Sequence, residues 1–169
     1  MTRGEIEAEL QCHHRAGFAW SLACCGRDRE EAEDVLQTSY LKILDGRAQF
    51  AGRSAFKTFL FGVIRRTAAE ARRRRVFAGL FLSRPEHTRP ADAEDASEER
   101  LALLDALSRL PSRQREVLQL VFYLGLTVEE AAEAIGVSAG TARVHYDRGK
   151  RRIAAVLGIP ERRRKESRG

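Results

Sequence analysis

One stretch near the C-terminal end constrains this chain more than any other: Thr127-Val-Glu-Glu130 through Gly136-Val137-Ser138. Thr127 and Glu130 form a capping box of the S/T-x-x-E type, which starts a helix by satisfying two orphan backbone amides. Ala131 and Ala132 allow a neighbouring helix to come close. Gly136 supplies a positive-φ stop, Val137 an apolar plug and Ser138 the N-cap of the next helix. That second helix, from about Ala139 to Leu157, carries Arg143, His145, Arg148, Lys150, Arg151 and Arg152. Its inward positions are Ala142, Tyr146, Gly149 and Ile153. An ordinary αα-hairpin with a solvated basic face would also show basic residues. Capping, turn and spacing agree together on a helix-turn-helix, whose second helix enters the major groove of a duplex.

The rest of the chain must be compatible with that module. Its 169 residues suit one ordinary domain or two small ones, and 43% hydrophobic content is enough for a packed core. The net charge of +6 is unevenly placed. Residues 1–76 and 98–169 are each net +4, while residues 77–97 are net −2. Arg outnumbers Lys 26 to 4, which suits bidentate phosphate contact but also follows from a GC-rich genome. The clustering is the informative part. No run reaches the ~20 apolar residues of a membrane span, and Met1-Thr-Arg-Gly-Glu-Ile-Glu7 lacks the apolar core of a signal peptide. No membrane insertion and a cytoplasmic location are expected. Three cysteines are too few and too odd for a disulfide framework.

Nearly every periodic segment reads as helix, so an all-α fold without sheet is expected. Asp28 N-caps a helix with Glu30, Glu31 and Glu33 in its first turns, and Val35, Leu36, Tyr40, Leu41 and Leu44 form its apolar stripe. Asp45-Gly46-Arg47 ends it. Ser54 is placed to cap a further helix through Phe56, Phe59, Leu60, Val63 and Ile64 into Arg72–Arg75. Residues 83–97 have a linker composition. Helices resume at Leu101, stop at Pro111, and restart through Val117 to Gly125; the basic tail 159–169 reads as frayed.

The segment Gly26-Arg-Asp-Arg-Glu-Glu-Ala-Glu-Asp34-Val-Leu-Gln37-Thr-Ser-Tyr40-Leu-Lys-Ile-Leu44 resembles the region 2 helix of bacterial sigma-70-family factors. Phe50-Ala-Gly52-Arg-Ser54-Ala-Phe56 through Arg65 is similar to the loop and helix that engage the −10 promoter element. Leu110-Pro111 through Arg143 looks like region 4, which reads the −35 element. Order, connector and short length match the extracytoplasmic-function (group IV) type. The resemblance implies two small helical domains on a flexible linker. Residues 1–76 would bind core polymerase and the −10 element, 77–97 would link, 98–158 would bind the −35 element, and 159–169 would form the tail.

Carried over residue by residue, the resemblance assigns Asp34, Val35, Gln37 and Tyr40 to polymerase docking. Gly52, Arg53, Ser54, Phe59, Arg65, Arg66, Arg72 and Arg73 are assigned to the −10 element. Ser138, Thr141, Arg143, Val144, His145, Arg148 and Arg151 are assigned to the −35 element. The implied partners are RNA polymerase core, through its β′ coiled coil and β flap, promoter duplex with the non-template single strand, and an anti-sigma factor. Arg143 and Arg148 lie about 140° apart on a helix, so one faces bases and the other a flank or a phosphate. Gly52, Arg53 and Ser54 are placed to capture an unpaired base, although Phe50 and Phe56 could instead fill the core. Cys12, His13, His14, Cys24 and Cys25 lack zinc-ligand spacing, so neither a metal nor any other cofactor is expected. No phosphate loop or nucleophile motif points to an enzyme. The alternative function is a stand-alone helix-turn-helix regulator.

Overall fold

The computed structural model describes residues 1–79 and 98–158, and their regular structure is helical throughout. The connector from residue 80 to 97 and the tail from 159 lie outside the described residues. Two helices precede the region that the sequence pattern marks. Helix α1 (Arg3–Cys12) opens with a capping box between Thr2 and Glu5. Helix α2 (His14–Cys24) follows after a break at His13. Helix α3 (Arg29–Leu44) starts as expected, with Asp28 Oδ1 accepting from the Glu31 amide at 3.0 Å.

Helix α4 (Phe56–Phe77) departs from expectation at its start. Ala55, not Ser54, is the N-cap, and no side chain caps the helix. Its stability comes from burial of Leu60, Phe61, Val63 and Ile64. Trp20 of α2 is fully buried against it and donates Nε1–H to the Phe61 carbonyl at 3.1 Å. Removing an indole's ~200 Å² of surface from water stabilises by about 5 kcal/mol before entropy is charged. Gly17 lets α2 approach closely: a Cβ there would lie 3.3 Å from Leu36 and 3.5 Å from Ile64.

The second half holds α5 (Glu98–Ser108), α6 (Ser112–Leu118), α7 (Val128–Ile135) and α8 (Ala139–Val156). Between α6 and α7 the chain forms a π-turn over Gln119–Tyr123 where an ordinary helical continuation was expected. The turn leaves Phe122 and Tyr123 exposed, with Phe122 stacked on Tyr146 at 5.8 Å. The helix-turn-helix forms as its sequence dictates. Thr127 and Glu130 exchange cap hydrogen bonds of 3.1 and 2.8 Å, and Gly136 takes φ 71°. Ser138 Oγ accepts from the Thr141 amide at 3.1 Å.

The two helical units do not stand apart in this structure. One apolar cluster runs from Leu10 and Trp20 through Phe61 and Ile64 to Val117, Leu120 and Ile135. Helix α7 lies on α4 where Gly62 has no side chain to hold it off; a Cβ there would sit 3.6 Å from the Ala134 carbonyl. Lys57 Nζ donates to the Leu124 carbonyl across the seam. Arg65 Nε meets Glu116 Oε1 at 3.1 Å, both side chains about four-fifths buried.

Two helical glycines give opposite predictions. A Cβ at Gly149 would lie 2.8 Å from Leu118 Cδ1, and Leu118 is 1% exposed, so it has no room to move. Gly149→Ala should destabilise by about 1–2 kcal/mol, overpacking outweighing the propensity gain. At Gly140 the nearest atom is Ser138 Oγ at 3.9 Å, and Gly140→Ala should stabilise by about 0.5–1 kcal/mol. Urea unfolding of the full chain measures both; equal shifts would contradict the packing of α8 on α6.

Candidate functional site

Helix α8 is the basic helix of the helix-turn-helix, and its inward face is set by Ala142 and Gly149, both buried. Val144, Arg148 and Arg151 are exposed on the other side, at i, i+4 and i+7. Ser138 and Thr141 are exposed at the N-terminus, but their hydroxyls are joined at 2.8 Å within the cap. His145 is half-buried, with Nδ1 shut from solvent and without a partner. Arg143 Nη2 donates to Glu129 Oε1 at 2.5 Å, which holds the Glu129 carboxyl below its usual range. Lys150 lies over the Tyr146 ring at 5.0 Å.

In the first half, the loop between α3 and α4 is built around aromatics. Phe50, Phe56 and Phe59 form a triangle with centroids 5.3–5.8 Å apart, and His13 stacks on Phe56. Phe59 is therefore half-buried in this cluster. Gly52, with φ 69°, and Arg53 are exposed at the loop tip, with Ser54 half-buried behind them. Between the C-terminal end of α3 and the middle of α4 lies a cavity of about 300 Å³ lined by Lys42, Arg47, Ala48, Val63, Arg66, Thr67 and Glu70. Lys42 Nζ donates to Glu70 at 2.6 Å and to Thr67 at 3.1 Å. The hydrogen bond from Lys42 lowers the Glu70 pKa.

The adjacent arginines of α4 go opposite ways. Arg66 is exposed at the cavity, whereas Arg65 turns to the seam and pairs with Glu116. Arg65 thus departs from the expected phosphate-tracking row, because consecutive residues of a helix point about 100° apart. Arg72 and Arg73 are exposed farther along, and Arg75 pairs with Glu31 at 2.7 Å. Sequence reasoning did not single out Lys42, Arg47 and Glu70 as site residues. The only available signal was that Val63, Arg66, Thr67 and Glu70 share one face of α4 at 3–4-residue spacing.

Helices α3 and α4 also enclose a groove of about 560 Å³ on another side. Asp34 and Gln37 are exposed on its rim, Val35 forms its floor at 2% exposure, and Leu41 is 54% exposed beside them. Tyr40 is not brought to this groove. It turns inward, its hydroxyl 3.4 Å from the Leu10 carbonyl and 3.2 Å from His14 Nδ1. An apolar floor with a carboxylate and an amide at the rim fits a helical protein surface bearing basic residues.

Two family models match the chain in succession. Residues 12–77 match the family model for Sigma-70 region 2, and residues 100–153 match that for Sigma-70, region 4. The chain is 30% identical over 153 residues to the RNA polymerase sigma factor CarQ of Myxococcus xanthus, covering 89% of this chain and 88% of that one. It is 33% identical over 132 residues to the ECF RNA polymerase sigma factor SigD of Mycobacterium tuberculosis, covering 72% and 61%. In fold it is similar to the sigma factor RpoE of Bartonella quintana, solved with the anti-sigma factor NepR. The TM-score is 0.72 at 24% identity, over 92% of this chain and 98% of that one.

The cysteines stand outside these surfaces. Among the described residues no three His, Cys, Asp or Glu side chains could hold a metal ion. Burial pushes the Cys24 thiol well up, and burial followed by Glu31 and Asp28 pushes Cys25 up to about 12. Thiolate is the reactive form, so the raised pKa lowers the reactivity of both in the folded chain. Cys12 is exposed. At pH 8 iodoacetamide should label Cys12 alone, with Cys24 and Cys25 reacting only after denaturation, as peptide mass mapping reads. The raised Cys25 pKa also has a sign for stability: its contribution is intact below about pH 8.5 and is lost as pH climbs toward 12.

Proposed function

Because the chain belongs to the sigma-70 family, among the extracytoplasmic-function RNA polymerase sigma factors, we propose the following division of work among its surfaces. The α3–α4 groove, through Asp34, Gln37 and the Val35 floor, docks on the β′ coiled coil of core RNA polymerase. Exposed Phe122, stacked on the half-buried Tyr146 and beside exposed Tyr123, takes an apolar segment of the β flap. Helix α8 enters the major groove of the −35 element with Arg143, Val144, Arg148 and Arg151 outward. Val144 suits a thymine methyl.

The loop tip at Gly52, Arg53 and Ser54, on the same α3–α4 connection as the cavity bearing Lys42, Arg47 and Arg66, holds an unpaired base of the non-template −10 strand. Arg66, Arg72 and Arg73 follow the backbone of that strand. The protein thus serves as the promoter-specificity subunit and contributes no catalytic residue. The observation that carries this reading is the coexistence of an apolar-floored groove on α3–α4 with a separate helix, α8, that presents exposed basic residues. A stand-alone regulator would use α8 but has no need of the groove. By analogy with the Bartonella factor solved with NepR, an anti-sigma protein is the partner that withholds these surfaces.

Run-off transcription from purified core, this chain and promoter DNA tests the function; transcription without a requirement for the chain would refute it. The groove has its own test. Asp34 is exposed, so Asp34→Arg should leave the fold intact and weaken core binding by about 2–5 kcal/mol, the range for a broken interfacial charged hydrogen bond. Core affinity unchanged in a folded variant would remove Asp34 from the interface.

A further inference from the structure

The pairing of Arg143 with Glu129 separates two arginines that the helix geometry alone leaves equivalent. Arg143 sits in the second turn of α8, near the end that reaches base edges in a helix-turn-helix. Glu129 lies in the first turn of α7, where the Thr127–Glu130 capping box fixes its backbone and the helix dipole favours its charge. The two side chains meet at 2.5 Å across the turn, fourteen residues apart. Arg148 has no ion pair or hydrogen bond among the described residues.

We propose that Glu129 is a positioning residue that presets Arg143 for reading a base edge in the −35 duplex, leaving Arg148 to a phosphate. This rests on the reading of α8 as the −35 helix. Two physical arguments support it. First, a guanidinium has five N–H donors, and one Nη2 hydrogen bond leaves the others free for a bidentate contact to guanine O6 and N7. Holding one edge in advance removes rotamer freedom that the duplex would otherwise have to freeze. Second, the Arg143–Glu129 pair is electrically neutral. A neutral pair releases no counterion on meeting a phosphate and is a poor backbone ligand, whereas the unpaired Arg148 is a good one.

The test uses holoenzyme reconstituted with core polymerase on duplexes carrying all four base pairs at each −35 position, across a salt series. Arg143→Ala should reduce preference at one position by roughly ten- to a hundredfold and leave the salt slope nearly unchanged. Arg148→Ala should weaken all sequences alike and reduce the slope by about one. Glu129→Gln should lower the preference at the Arg143 position by roughly three- to tenfold, and that effect should vanish in the Arg143→Ala background. Three results would overturn the proposal. One is uniform tightening by Glu129→Gln with base preference intact, which makes Glu129 a mere repulsive charge. Another is a Glu129→Gln effect that persists without Arg143, which makes Glu129 a reader in its own right. The third is a loss of salt slope with Arg143→Ala. A wild-type holoenzyme with no base preference at −35 would instead bring down the assignment of α8 itself.

Discussion

Trp20 is closed off from solvent and donates its indole N–H to the Phe61 carbonyl, and this contact sets the axial position of α4 against α2. A buried indole without a hydrogen-bond acceptor would be penalised, so α4 cannot slide along α2 without losing both the bond and the packing of Leu60, Phe61 and Ile64. Helix α4 in turn borders the cavity beside Lys42 and Glu70, the groove shared with α3 and the seam with the second half. Each of these surfaces is a different azimuth of one helix. A shift of one residue at Trp20 would rotate all three by about 100°.

That arrangement explains why adjacent arginines of α4 have different fates. Arg65 is held at the seam by Glu116, in a setting that water reaches poorly, while Arg66 remains open at the cavity. The same distinction recurs along α8. Arg143 is neutralised by Glu129, and Arg152 reaches Gln114 at 3.3 Å, so the row of cations is not one uniform charged strip. A chain rich in arginine need not present all of it to a polyanion. Carboxylates and carbonyls nearby decide which guanidinium groups are available.

The seam shows what side-chain size decides. Gly62 on α4 and Ala134 on α7 let two backbones approach, and Lys57 and Arg65 then find partners on the other half. Two helical units that the sequence reads as separate thereby share one apolar cluster.

Local chemistry made most of the helices from α3 onward legible in advance. The caps at Asp28, Thr127 and Ser138, the stop at Gly136 and the inward face of α8 follow from contacts within four or five residues, which a linear pattern records directly. The family resemblance rested on the same kind of short, contiguous signal. What the pattern does not record is pairing between residues 14 to 67 positions apart, such as Arg143 with Glu129, Arg65 with Glu116 and Lys57 with Leu124. Nor does it record the π-turn that exposes Phe122, the inward turn of Tyr40, or the cap at Ala55 in place of Ser54. Periodicity tells which face of a helix is apolar but not which neighbour that face meets. Most of the helices from α3 onward were therefore determined by the sequence alone, while which arginines pair with protein groups and which stay exposed was settled only when the helices packed.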